Sequence, residues 1–262
     1  MIYYFLMEKF LISLDGKTWN TILKAIMQID DTAIATINND YLTLEALDSA
    51  HVAAIKVFLP NYFFSYFNYK DEHEKLEFGF DVKPLYNTLK TFNKDTIDIA
   101  LDDKTLSFKI NNNFKFEFPV IETQKDFPIE KIESSTDFSN YVKLETKKLR
   151  QVINILKQRK SKYHEDVFRL DLNEKGLGIV FINHDTLEKL SFNFTDDLIA
   201  KNVKESLTQI FDIEYIIKLL GKEFSYITKI AIASTGVLKV VYPLTTYESV
   251  EIAYYLAPKV SE

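Results

Sequence analysis

The strongest constraint on this chain is that one pattern runs through it twice. LISLDGKTWNTIL (Leu11–Leu23) lines up with VKLETKKLRQVI (Val142–Ile153) as strand, acidic cap, Lys, then an apolar stripe. Leu14/Leu144, Lys17/Lys147 and Trp19/Leu149 each stand 130 residues apart. FDVKPLYNTL (Phe80–Leu89) answers FDIEYIIKLL (Phe211–Leu220) at an offset of 131, and Ile97-Asp98-Ile99 answers Ile230-Ala231-Ile232 at 133. Anchors at so nearly constant an offset mark a tandem duplication of one α+β unit.

In the first copy, Glu8–Leu14 reads as a strand, followed by a helix from Lys17 to Ile29. Trp19, Ile22, Leu23 and Ile26 recur there at i, i+3, i+4, i+7, which is one apolar stripe. Strands are expected through Ala33–Ile37, Leu42–Leu47, Val52–Leu59, Asn61–Tyr69 and Leu76–Phe80. Asp81 is placed to cap a second helix, Val82 to Phe92. Ile97–Leu101 and Leu106–Ile110 form an expected hairpin, and Phe114–Phe118 adds a strand. Pro119–Ser135 holds two prolines and many charges without sustained periodicity, and it reads as an extended linker. The expected organisation is domain 1 over 7–118, a connecting loop over 119–135 and domain 2 over 136–262. Met7 stands directly before the first strand, so the first six residues read as an extension or a misassigned start.

The Leu44–Pro60 stretch breaks its own pattern. It alternates like a half-buried strand, meets turn chemistry at Asp48-Ser49, then resumes as a β-branched run. A polar Asp-Ser-Ala-His knot inside the most apolar part of the first half is not explained by strand formation alone.

The apolar fraction of 47 % and aromatic fraction of 14 % imply a substantial core. Without cysteine, disulfides, thiolate metal sites and cysteine nucleophiles are excluded. The four histidines (His51, His73, His164, His184) lack metal-ligand spacing, and no cofactor is implied. No run reaches the roughly 18 apolar residues of a membrane span, so no membrane partner is expected. His164 beside Glu165-Asp166, and His184 beside Asp185, are sequence neighbours that a strand would point to opposite faces. No Walker loop, GxGxxG or GxSxG occurs, and no enzyme activity is expected.

Charge is unevenly placed along the helices. At 100° per residue, the face opposite the first stripe carries Lys17, Thr21, Lys24 and Gln28. The second helix shows Lys83 and Lys90 to one side, with Asn87 and Thr91 opposite the core. The third shows Lys147, Gln151, Asn154 and Gln158, with Arg150 on the flank, and the fourth shows Tyr215, Lys218 and Lys222. In a chain of net charge −6 this is segregation, of the sign a nucleic-acid face needs.

LEALDSAHVAAIKV (Leu44–Val57), together with YYLAPK (Tyr254–Lys259), resembles the proliferating cell nuclear antigen (PCNA) family, the archaeal and eukaryotic DNA polymerase sliding clamps. The duplication and linker extend the resemblance over residues 7 to 262. It implies a DNA-clamp fold whose subunits close into a trimeric ring, helices inward around duplex DNA. Such a ring touches phosphates without reading bases. The implied role is processivity: tethering DNA polymerase, flap endonuclease and DNA ligase, with a clamp loader as a further partner. The composition, rich in Ile, Lys, Tyr and Phe, tilts toward an archaeal source, hence a cytoplasmic location at the nucleoid. A eukaryotic source would make it nuclear.

Carried over by position, the resemblance assigns a partner-peptide pocket to Leu47, His51, Val52, Ala54, Val120, Ile121, Phe127, Val237, Tyr255, Ala257 and Pro258. Ala257 would offer its backbone to a glutamine of the partner peptide. Ala54 replaces a larger aliphatic and Val237 a proline of the family pattern. Subunit contact is assigned to two edge strands, Phe114, Phe116 and Phe118 on one and Leu190, Phe192 and Phe194 on the other. Either a homotrimer or a heterotrimer with clamp paralogues satisfies this pattern. A checkpoint-type or viral subunit of the same fold is the alternative, and a two-domain enzyme a remote one.

Overall fold

Alternating apolar and polar residues build most of the chain into antiparallel strands, and four amphipathic runs build its main helices. The computed structural model describes residues 8–102, 104–111, 113–122, 129–245 and 249–259. It divides into two units. The first comprises Met1–Leu47, Ile55–Phe127 and Ser249–Ile252, and the second Asp48–Ala54, Pro128–Glu248 and Ala253–Glu262.

The first unit contains β1 (Phe10–Asp15), α1 (Gly16–Ile26), β2 (Thr32–Ile37), β3 (Tyr41–Leu47) and most of β4 (Ala53–Pro60). After a 3-10 turn at Asn61–Phe63 come β5 (Tyr66–Tyr69), β6 (Leu76–Asp81), α2 (Val82–Leu89), β7 (Thr96–Leu101), β8 (Thr105–Ile110) and β9 (Phe114–Pro119). The second unit contains α3 (Ile129–Ser135), β10 (Tyr141–Glu145), α4 (Thr146–Arg159), β11 (Val167–Asn173), β12 (Gly176–Ile182) and β13 (Lys189–Phe194). It continues with β14 (Leu198–Asn202), β15 (Leu207–Phe211), α5 (Ile213–Leu220), β16 (Ile227–Ile232), β17 (Leu238–Pro243) and most of β18 (Glu251–Leu256).

The duplication is visible in the strand order. The first unit runs β5-β1-β7-β8-β9 and β4-β3-β2-β6, while the second runs β14-β10-β16-β17-β18 and β13-β12-β11-β15. Every strand in one order has its counterpart in the other, so both copies fold by the same plan. In the first unit Trp19, Leu23 and Leu85 from the helices meet Phe10, Ile12, Leu44, Phe78 and Phe108 from the strands around a small apolar cavity. Asn20 is buried where α1 meets the end of α2, and its amide donates to the Leu89 carbonyl (3.1 Å) and Asn93 Oδ1 (2.8 Å). In the second unit the buried Thr146 and Thr228 hydroxyls join at 2.8 Å, beside the start of α4.

Several boundaries differ from expectation. Helix α1 ends at Ile26 and α2 at Leu89, short of the expected ends at Ile29 and Phe92. Asp15 caps α1 through the Thr18 amide (2.9 Å), and Asp212 caps α5 through the Glu214 amide (2.7 Å). Asp81 makes no such bond; the Val82 amide donates instead to the Asp31 carbonyl at 2.8 Å. Glu145 does not cap α4 either; the Thr146 amide donates to the Tyr226 carbonyl at 2.9 Å. Asn61–Tyr69 is interrupted by the 3-10 turn rather than running as one strand. The end of the expected extended linker is helical, as α3, with Ile129 fully buried and Ile132 one turn on. One turn is too short to show as periodicity in sequence.

Leu23 is fully buried on α1. Leu23→Ala is expected to destabilise the chain by about 2–5 kcal/mol, read as a lower urea midpoint with unchanged m.

Candidate nucleic-acid face and docking surface

Helices α1, α2 and α4 contain no Asp or Glu, and α5 contains one, Glu214. They carry nine Lys or Arg between them, in a chain of net charge −6. Their apolar residues are committed to the two cores: Trp19, Ile22, Leu23 and Ile26 on α1, Leu149, Val152, Ile153 and Leu156 on α4. Lys17, Lys24, Lys147 and Lys222 are exposed, and no ion pair involves them among the described residues. Lys90 is exposed with its ammonium on Asn87 Oδ1 (3.1 Å). Two of the expected cations are neutralised: Lys83 by Asp31 (3.2 Å), and Arg150 by Glu223. The acids of these pairs come from flanking loops, which a helix-face projection does not include.

Tyr215 departs furthest from its sequence placement. It is half-buried rather than outward, with its hydroxyl donated to the Asp48 carboxylate. The hydrogen bond to Asp48 and burial push the Tyr215 phenol up to about 12. Lys218, one turn on, rests its ammonium 5.2 Å from the Tyr215 ring centroid. Burial works to raise the Asp48 carboxyl, but the Tyr215 hydroxyl and the amides of Ala53, Val52 and Ala50 outweigh it and hold the group below the ordinary carboxylate value.

Around this carboxylate the second unit assembles part of the expected pocket. Asp48 accepts from Val52 N (2.8 Å), Ala53 N (2.7 Å) and Ala50 N (3.3 Å), tying off a tight loop with exposed His51 at φ 58°. The Val52 carbonyl then accepts the Ala257 N–H at 2.9 Å, and the Lys259 N–H donates to the Ile210 carbonyl at 2.8 Å. Gly236, at φ +88°, turns the chain just before half-buried Val237. A Cβ at Gly236 would sit 3.0 Å from Pro258 Cγ and 3.1 Å from the Gln209 side chain. Nothing in the sequence pattern marks this glycine except its place in Ser-Thr-Gly.

Tyr255 does not line an open surface of the second unit. It is 2 % exposed, its hydroxyl is donated to the α3 carboxylate Glu133, and its ring meets Phe138 edge-on at 6.1 Å. The Lys239 ammonium lies 3.1 Å from the same Glu133 carboxylate and 5.1 Å from the Tyr255 ring centroid. Ala54 is also buried, while Val52, Ala257 and Pro258 are half-buried. Of the remaining expected pocket residues, Leu47 is buried in the first unit, Val120 donates its amide to the Lys104 carbonyl (3.0 Å), and Ile121 bridges Gly79. Phe127 lies outside the described residues.

The two expected contact strands differ in what they expose. In the first unit β9 pairs with β8 alone among the described residues, and Phe114 is 49 % exposed. Phe114 and Phe116 stack on each other and against Phe92, with centroids 5.3–6.5 Å apart, while Phe118 turns to Phe108. In the second unit β13 pairs with β12 alone among the described residues, leaving Leu190 and Phe192 half-buried. Phe194 is buried and is not available at that surface.

Two copies of a helix pair on antiparallel strands define the DNA-clamp fold, and solved structures share it. The A. fulgidus PCNA bound to the C-terminal region of FEN-1 matches with TM-score 0.79 at 17 % identity, over 97 % of this chain and 99 % of that one. A chain of the Sulfolobus tokodaii PCNA2-PCNA3 complex matches with TM-score 0.77 at 17 % identity, over 95 % and 99 %. Residues 13–239 match the family described as repair protein Rad1/Rec1/Rad17, and the chain belongs to that family. DNA polymerase sliding clamp 3 of Aeropyrum pernix is 27 % identical over 122 residues, 45 % of this chain. DNA polymerase sliding clamp 1 of Sulfurisphaera ohwakuensis is 28 % identical over 140 residues, 49 % of this chain, and the two alignments span about half of these relatives' lengths, 48 % and 56 %.

Gly236→Val is expected to destabilise the second unit by roughly 1–3 kcal/mol, since it adds both positive-φ strain and a clash with Pro258. Thermal unfolding of the purified variant checks this.

Proposed function

We propose that the chain is a subunit of a DNA sliding clamp: a trimeric ring that encircles duplex DNA and tethers replication and repair enzymes. The observation that carries this is the charge segregation repeated in both units, nine basic residues against one acid on the four amphipathic helices of an acidic chain. Basic faces on both copies suit a backbone contact that tolerates any sequence, and the acidic remainder disfavours DNA elsewhere. Lys17, Lys24, Lys90, Lys147, Lys218 and Lys222 are the phosphate-facing cations. Lys83 and Arg150 contribute less, being paired with acids.

Assembly uses β9 of one subunit against β13 of the next, in an edge pairing that covers Phe114, Phe116, Leu190 and Phe192. Apolar edges of this kind invite association unless a partner strand occupies them. Partner enzymes dock by a short glutamine-plus-hydrophobic peptide on the surface around Val52, Val237, Ala257 and Pro258, with His51 at its rim. Flap endonuclease is supported as a partner by the FEN-1 segment seated on the A. fulgidus protein. DNA polymerase, DNA ligase and a clamp loader are further partners, and the chain holds enzymes on DNA without catalysing a reaction. The ring takes paralogous clamp chains as neighbours, in line with the PCNA2-PCNA3 complex. The match to the Rad1/Rec1/Rad17 family favours a second reading, a clamp subunit dedicated to repair.

Light scattering after size exclusion, alone and with paralogous clamp chains, is expected to give the mass of a three-chain ring. A chain that stays monomeric in every mixture would sink the clamp reading. Phe114→Asp is expected to shift the assembled mass toward monomer at micromolar concentration, with the fold unchanged by circular dichroism. Lys17→Glu combined with Lys147→Glu should lower DNA retention by the ring and flatten its dependence on salt by about two units per subunit. A slope equal to that of the wild type would show that these faces do not meet phosphate.

A further inference from the structure

The polar knot in the Leu44–Pro60 stretch finds its use at Asp48. One carboxylate collects the amides of Ala50, Val52 and Ala53 and the hydroxyl of Tyr215. The Val52 carbonyl passes this order on by accepting the Ala257 N–H at 2.9 Å. The Ala257 N–H is therefore spent, while its carbonyl oxygen has no hydrogen-bond partner among the described residues. A lone acceptor, held in register by a carboxylate-tied loop, suits a side-chain amide that donates.

We propose that Asp48 and Tyr215 are positioning residues for partner docking: they hold the Asp48–Ala54 loop so that Ala257 presents its carbonyl oxygen to the side-chain amide of a glutamine in the partner peptide. This rests on the docking surface described under Proposed function and adds the residues that set its polar selectivity. Neither residue touches the peptide. Tyr215 acts through Asp48, Asp48 through Val52, and Val52 through Ala257. The same geometry explains why a tyrosine on the basic side of α5 turns inward instead of standing beside Lys218 and Lys222. A hydrogen bond to a charged acceptor fixes a loop more tightly than one between neutral groups, and preorganising the acceptor lowers the ordering cost of binding.

The test is a cycle on the assembled ring, using fluorescence anisotropy with two synthetic peptides. One has the form Gln-xx-hydrophobic-xx-aromatic, and the other replaces its Gln by Ala. The wild-type ring is expected to prefer the Gln peptide by roughly three- to tenfold, the range of one net hydrogen bond. In Tyr215→Phe that preference should shrink to less than about twofold while the Ala peptide binds as before, giving a coupling between Tyr215 and the distant glutamine. Asp48→Asn should show the same collapse. Where it fails to fold, Tyr215→Phe, which keeps the ring and loses only the hydroxyl, carries the test alone. An unchanged Gln preference in Tyr215→Phe overturns the inference. So does equal weakening of both peptides, which marks general loosening. A wild-type ring that binds both peptides equally also overturns it, but leaves docking intact. A ring that binds neither peptide removes the docking surface itself.

Discussion

Burial of four apolar helix stripes is the constraint on which the rest of this protein depends. Each unit has a helix pair to cover its strands, and residues such as Trp19, Leu23, Leu149 and Ile153 have no other way to leave water. Once those stripes face inward, the remaining helix surface is fixed at about half a turn away. Its composition is then free to serve something other than folding. In this chain it is basic, on both copies, against an acidic whole. Charge segregation follows from amphipathicity plus a choice of polar residues, and that choice does nothing for the core.

The Asp48 carboxylate shows how an apolar strand can carry polar information. A buried charged group costs several kcal/mol unless its lone pairs are filled. Three amides and a phenol fill them, tying the loop from Asp48 to Ala54 to one carboxylate. The cost of burying the charge is offset locally, and the gain is a fixed relation between Val52 and the Ala257 backbone. At the other end of the same surface, α3 brings Glu133 over Tyr255 and Lys239 into that pair. The surface there is backbone and half-buried side chains, with the Tyr255 hydroxyl satisfied beneath them.

The edges of the sheets set a different problem. Strand β9 leaves Phe114 half exposed beside Phe92 and Phe116, and β13 leaves Leu190 and Phe192 half covered. Natural sheets blunt their edges with lysine, proline or bulges. Here Lys115 and Glu117 pair with each other on β9 and Pro119 closes its end, so the strand is protected only at its margin. The aromatic row stays available for a strand from another chain.

Much of the architecture is legible in the amino-acid order because it rests on periodicity. The duplication, the four amphipathic helices, the inward stripes and the alternation of β9 and β13 depend only on which residues are apolar and how far apart they stand. The exposed Lys17, Lys24 and Lys147 follow by the same projection. What periodicity cannot contain is contact between residues distant in the chain. Tyr215 projects outward from its helix, yet Asp48, 167 residues away, draws its hydroxyl in. Arg150 is paired with Glu223, Tyr255 gives its hydroxyl to Glu133, and Gly236 sits at positive φ with Pro258 close over it. By itself the sequence determined the repeated unit and the sign of its helix faces, since both are local patterns. The tertiary structure alone decided which charges stay free and how the Asp48–Ala54 loop is held, because hydrogen bonds and ion pairs are made by whatever the fold brings within 3 Å.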